Sequence, residues 1–173
     1  MNSHKRTRKG QISDFGAALM LLVCFVLFPL MNLSFIPVRY MITQGAMSEL
    51  VRRLAHSDKY SEAQAQMKRE TWWKTFLGGC GVDISKERMF LLITTSDGAK
   101  SFSVSGDETN IPDQWLPGGE NAPCIYTLSV AADCSIAPLY AGPFQPPTVS
   151  VAAHAEWENL SKDPQSLRYF INE

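Results

Sequence analysis

The sequence predicts an α+β protein: a single N-terminal transmembrane helix, a helical stalk that continues it, and a small antiparallel β-sheet domain. Three observations carry this. Residues 15–38 contain no Asp, Glu, Lys, Arg or His; residues 39–77 repeat apolar side chains at helical spacing; the remainder alternates apolar and polar residues in short runs. The expected divisions are a basic cytoplasmic leader at 1–14, the span at 15–38, the stalk at 39–77 and an exported sheet domain at 78–173.

The span comes first. At 1.5 Å per residue, the uncharged stretch makes a helix of roughly 36 Å, enough for a hydrocarbon core of about 30 Å with some tilt. Leu19, Leu21, Leu22, Val23, Phe25, Val26, Leu27, Phe28, Leu30 and Met31 occupy every face of that helix, whereas a buried soluble helix seldom runs so long without a polar side. Pro29 removes one backbone donor, and Asn32 and Ser34 are mild polar interruptions. Lys5, Arg6, Arg8 and Lys9 precede the apolar run, which favours a cytoplasmic N-terminus and an exported C-terminal side. A cleaved secretory signal is the competing reading; the run exceeds a usual signal core, and no small-x-small cleavage site follows it. Asp14 stands at the mouth of the helix, where the macrodipole favours negative charge and a neighbouring cation can hold a carboxylate ionised.

The chain has 173 residues and a formal charge of −1. Setting aside Lys5, Arg6, Arg8, Lys9 and Asp14 leaves 12 basic and 16 acidic residues, a net −4, which argues against nucleic acid as a partner. The bilayer and its anionic headgroups are the economical partner for the basic cluster. Cys24 lies in the apolar span as a small hydrophobe. Cys80, Cys124 and Cys134 fall on the exported, oxidising side and are disulfide candidates, with all three pairings open.

In the stalk, Met47, Leu50, Val51, Leu54 and Ala55 form a half-buried stripe, and Glu49, Arg52 and Arg53 lie on other faces. A break falls near "HSDKY". Ser61 with Gln64 matches a capping box that restarts the helix through Ala63 and Met67 to Trp72, Trp73 and Phe76. These aromatics suit core packing, with a partner surface as the alternative. "GGCG" then ends the helical half.

Beyond it, residues 89–95 and 100–105 flank Asp97-Gly98, a tight hairpin signal. Phe102 and Val104 face one way, and Ser101, Ser103 and Ser105 the other. A loop rich in proline and glycine spans Gly106 to Pro123. The next strand puts Cys124, Tyr126, Leu128 and Val130 on one side, and the last, Thr148 to Trp157, turns Val149, Val151, Ala153, Ala155 and Trp157 inward. The apolar face of such a sheet can pack on the preceding helix.

Motifs for chemistry are absent: there is no GxSxG, no SxxK and no phosphate loop, and the cysteines show no zinc spacing. The expectation is a non-enzymatic chain that needs no cofactor or metal. His154, Glu156 and Glu158 are the one candidate ligand set, weighed against the solvated face of an edge strand. His56 is placed at a helix end, where it would ease the terminal carbonyls. Asn159-Leu160-Ser161 matches a glycosylation acceptor, a triplet common by chance.

The stretch "RKGQISDFGAALMLL", followed by "QGAMSELVRRLAHSDKYSEAQAQ", resembles the TadE-like proteins of tight-adherence (Tad) pilus systems, pseudopilins related in layout to type IV pilins. The resemblance covers about the first seventy residues. It implies a single-pass protein of the bacterial inner membrane with a periplasmic C-terminal domain, whose partners are other pilus or secretion components and a prepilin peptidase. By the same resemblance, Gly10 is the residue before the cut, Gln11 the new N-terminus, and Asp14 the acidic assembly residue, with homo- or hetero-oligomers formed through the N-terminal helix. The family's acidic residue is usually a glutamate five positions after the glycine; Asp14 is four positions on. Two other readings stand beside this one. They are a membrane-tethered binding or scaffold protein unrelated to pili, and an anchored hydrolase or metal enzyme using His154 and Glu156.

Overall fold

Helix α1 (Arg8–Leu22), one wide π-turn (Val23–Leu27) and helix α2 (Phe28–Ala55) follow one another without a gap. The computed structural model describes residues 8–106, 110–139 and 147–172, with side chains from residue 14 onward. Two further helices, α3 (Tyr60–Arg69) and α4 (Trp72–Gly79), lead into strands β1 (Val82–Thr95), β2 (Ser101–Ser105), β3 (Cys124–Ile136) and β4 (Thr148–Glu156). The architecture is α+β, a long apolar N-terminal helix followed by a small antiparallel sheet with helices. The chain forms two compact units, Met1–Val38 with Pro138–Gln145, and Arg39–Ala137 with Pro146–Glu173.

In the first unit the helix is long and apolar enough to cross a membrane, and none of its most apolar window is buried. Its π-turn has a local cause. Phe28 donates its N–H to Val23 O, five residues back. The next residue, Pro29, has no N–H, and its ring would collide with the carbonyl of Phe25 in a regular turn; the wider turn relieves both. Ser34 Oγ donates to Leu30 O at 2.9 Å, so its hydroxyl is satisfied within the helix.

In the second unit the later part of α2 buries Thr43, Ala46, Met47, Leu50, Val51, Leu54 and Ala55, the expected stripe extended by one turn at its start. Thr43 Oγ1 donates to Arg39 O at 2.8 Å, which lets a hydroxyl sit in the apolar stripe. Helix α2 ends at Ala55, and the break near "HSDKY" is present.

Two expectations for the helices need correction. Ser61 and Gln64 do not form a capping box: α3 starts one residue earlier, its N-cap is Lys59 with no side-chain cap bond, and Gln64 Nε2 donates to Gly106 O in the loop after β2. A longer-range partner has taken the side chain that the local motif needed. The helix also breaks at Glu70-Thr71. Glu70 is extended; its carboxylate accepts from Gln66 Nε2 at 2.7 Å and Trp72 Nε1 at 3.0 Å, and its carbonyl accepts from Trp73 Nε1 at 3.1 Å. One residue thus fixes the corner and both indoles.

The sheet order is β2-β1-β3-β4, with every pair antiparallel. Strand β1 is longer than expected and contains a bulge, since Ser85 pairs with Asp133 but the next pair is Arg88 with Ala131. Val82 and Ile84 turn inward before the bulge, and Met89, Leu91 and Ile93 turn inward after it, so the extra residue exchanges even positions for odd and keeps one apolar face. Lys86 takes the positive φ of 50° that the bulge requires. Asp97-Gly98 makes the β1–β2 turn, with Gly98 N–H donating to Thr95 O at 2.8 Å.

The sheet's apolar face packs on α2, α3 and α4 through Leu50, Leu54, Tyr60, Trp73 and Leu77. Residues 39–77 cover the sheet and belong to the same compact unit. The loop after β2 is partly core. Trp115 stacks on Phe102 at 5.8 Å and accepts Tyr126 OH on its carbonyl at 2.7 Å, while Ile111 and Leu116 are buried beside it.

Candidate functional site

The residues singled out at the N-terminus fall in α1. Gly10 and Gln11 have helical backbones, and the Gln11 side chain lies outside what the structure describes. Asp14 is exposed, four residues after Gly10 and so on the same face of the helix. Asp14 lies six residues after Arg8, the first described residue of α1.

Where the apolar stretch ends, Arg39 is the first charged residue. Its guanidinium donates from Nη1 to Ala137 O and lies against Gly81, whose added Cβ would meet it at 3.1 Å. Gly81 has φ of +75°, and its carbonyl accepts Ala137 N–H at 2.8 Å. A β-carbon there would be strained by backbone and by contact. Arg39, Gly81 and Ala137 thus form a clasp at the end of the sheet where β1 starts and β3 stops. Sequence reasoning passed over it, although an arginine that closes a span and a glycine before a strand were both visible.

The cysteines do not pair. Cys80, Cys124 and Cys134 are free thiols, against the disulfide expectation, and the strand register shows why. Cys124 and Cys134 lie ten residues apart on β3, roughly 33 Å along an extended strand, far beyond disulfide reach. Cys80 precedes β1 at the end opposite Cys124, and Cys134 lies across from Ile84, four residues past Cys80. Burial raises the thiol pKa of both Cys124 and Cys134, the latter further through Asp133, so these are poor thiolates. Cys24 is exposed within the π-turn.

His154, Glu156 and Glu158 do not converge. His154 Nδ1 meets Ser129 Oγ at 2.7 Å across the β3–β4 ladder, while Glu158 Oε2 lies 3.1 Å from His56 Nδ1. His56 therefore pairs with a carboxylate rather than with helix carbonyls. Among the described residues no group of three His, Cys, Asp or Glu side chains could hold a metal ion. Ser129 is fully buried, so its contact with His154 does not present a nucleophile. Asn159 Nδ2 donates to Asp58 O at 3.1 Å, which engages the amide of the glycosylation triplet.

Trp73 is core, Trp72 is half-buried under Arg53 at 4.9 Å, and Phe76 is 51% exposed. Beside β1, where β2 stops at Ser105, a groove of about 1010 Å³ opens over Met67, Met89, Phe90 and Leu92, with Gln64 and Arg88 at its rim. Strand β2 pairs only with Phe90–Thr94, which leaves the earlier half of β1 without a strand on that side. Comparison with family models, curated proteins and solved structures finds no match for this chain.

Proposed function

We propose that the protein is a pseudopilin-like, non-enzymatic component of a Tad-type pilus or secretion assembly, held once across the bacterial inner membrane with its N-terminus cytoplasmic and its α+β domain periplasmic. The observation that carries the reading is the order of parts along one helical run: cations, Gly10, Asp14, an uncharged membrane-length stretch, then the core stripe of a folded domain. An anchor that continues as a domain's own core helix suits a subunit that packs beside others through that helix.

The position of Asp14 adds to it. Cutting after Gly10 makes Gln11 the first residue and Asp14 the fourth, within the first turn of the processed helix, where a carboxylate is favoured. The freed amine of Gln11 on a neighbouring subunit is then a suitable cation for Asp14 once the helices leave water and lipid headgroups.

N-terminal sequencing of the membrane-extracted protein from a host with an active prepilin peptidase tests this. Gln11 as the first residue is the expected result; an intact Met1 removes the processing claim. A second reading, a tethered scaffold unrelated to pili, draws on the groove beside β1, which can take an apolar segment of a partner. Genes for a secretion ATPase, two assembly-platform proteins and a prepilin peptidase beside this one favour the first reading, and their absence the second.

A further inference from the structure

We infer that copies of this chain join edge to edge, strand β2 of one copy pairing antiparallel with the end of β4 of the next, so that one sheet runs on through successive domains. The inference concerns the second compact unit alone; it goes beyond the pilus reading and does not depend on it.

The order β2-β1-β3-β4 contains three antiparallel steps, so its two outer strands run in opposite directions. Two copies in the same orientation therefore bring β4 beside an antiparallel β2; a sheet with an odd number of such strands would offer a parallel neighbour.

The hydrogen-bonding phase agrees. Thr95 N–H donates to Lys100 O at 3.1 Å, so by alternation Phe102 and Val104 turn their backbone polar groups to β1, and Ser101, Ser103 and Ser105 turn theirs to the open edge. Trp157 N–H donates to Tyr126 O at 2.9 Å, so Ala153 and Ala155 turn theirs to β3, and Ser150, Ala152, His154 and Glu156 to the other open edge. On both edges these same residues carry exposed side chains on the face away from the helices, while Phe102, Val104, Ala153 and Ala155 pack on the core side. A ladder between β2 and β4 of successive copies thus keeps the helix-packed faces together on one side.

Natural edge strands are usually blunted by charge, proline or a bulge. Ser101–Ser105 and Thr148–Ala155 contain no Asp, Glu, Lys, Arg or Pro, and the register of β2 on β1 and of β4 on β3 is unbroken. Gln44 Nε2 from α2 donates to Ala152 O at 3.0 Å and guards the earlier half of β4. The later half, Ala152 to Glu156, matches β2 in length. In that half Ser101 lies opposite Glu156, Ser103 opposite His154 and Ser105 opposite Ala152, whose carbonyl has a second lone pair for Ser105 N–H. Phe102 then meets Ala155 on the core side, and both are half-buried. The exposed Lys100 and Glu156 come to the same end of the ladder, a basic residue against an acidic one. A two-fold pairing of β4 with β4 would leave β2 open, whereas the head-to-tail contact satisfies both edges at once.

The test uses the full chain in detergent, with the four native cysteines replaced by alanine and differently tagged Ser103→Cys and His154→Cys chains mixed under mild oxidation. Opposed residues of a hydrogen-bonded antiparallel pair sit about 5.5 Å apart at Cα, within disulfide reach. The expected product is a disulfide joining one tag to the other, with either chain alone staying monomeric on non-reducing gels and the doubly substituted chain forming a series of dimers, trimers and longer species. No joined product in the mixture, or equal joining within one tag, overturns the inference. A second measurement keeps the native cysteines under reducing conditions. Ser103→Lys with His154→Lys sets like charges opposite each other, and should self-associate at least about tenfold more weakly in sedimentation than Ser103→Glu with His154→Lys, which sets opposite charges there. Equal association of the two variants, as contact through the N-terminal helix alone would give, overturns the inference.

Discussion

The two stretches of α2 on either side of Arg39 share one backbone geometry and have opposite surroundings. Before Arg39 no side chain of α2 is buried: Leu30, Leu33 and Val38 are more than half exposed, and Phe28, Met31 and Ile36 are partly exposed; after it Met47, Leu50, Val51 and Leu54 are fully buried on one side while Glu49, Arg52 and Arg53 reach water. The difference teaches that apolar content alone does not say what solvates a helix. The angular distribution does: an all-round surface calls for lipid, and a stripe calls for another element of the same fold.

Identical substitutions in the two stretches should break this symmetry most visibly. Leu50→Ala empties part of a packed core and should cost roughly 2–5 kcal/mol of domain stability, read by urea denaturation in detergent. Leu30→Ala, at an exposed position, should leave that transition in place. If both shift it alike, the stripe does not define the core. A charge placed in the first unit tests the other solvent. Val26→Arg, near the middle of the uncharged stretch, should raise the cost of membrane insertion by about 3 kcal/mol, roughly 100-fold in partition, with domain unfolding unchanged. Undiminished recovery of that variant in carbonate-washed membranes would count against the span.

The smallest effect concerns acid. The hydrogen bond from Arg53 holds the Glu49 carboxyl below its usual 4.5. The Thr95 hydroxyl does the same for Asp97, and the Gln165 N–H for Asp163, each below 3.8. Because the folded values are depressed, the linked stability is present above the unfolded values and is lost as pH falls through the folded ones. All three groups are open to solvent, so only a small decline is expected as pH falls below about 4.5, and none from about pH 7 to about pH 5. Glu49→Gln should flatten part of it, which urea midpoints measured above and below about pH 4.5 would detect.

Much of the fold was legible because its signals are periodic. The uncharged run, the helical stripe, the Asp97-Gly98 turn and the alternation in β3 and β4 each repeat over several residues. What escaped was set by single residues acting at a distance. The first half of β1 was hidden because Lys86-Glu87 breaks the alternation on which strand reading depends. Gln64 looked like a cap and instead reached Gly106, and Glu70 ended a helix through bonds to two indoles that no local rule weighs. The disulfide expectation counted cysteines without a register. The candidate site shows the same division: Gly10, Gln11 and Asp14 could be picked out as a pattern, whereas the Arg39–Gly81–Ala137 clasp depends on the meeting of three segments far apart in the chain.

The bulge in β1 also sets what length changes the strand can absorb. A chain one residue shorter between Ser85 and Arg88 could form an unbroken ladder only by showing Val82 and Ile84 to water. Gains in strand regularity there come with the loss of two anchors, so this small irregularity is the hinge pin that lets one ribbon serve two differently phased lengths of core.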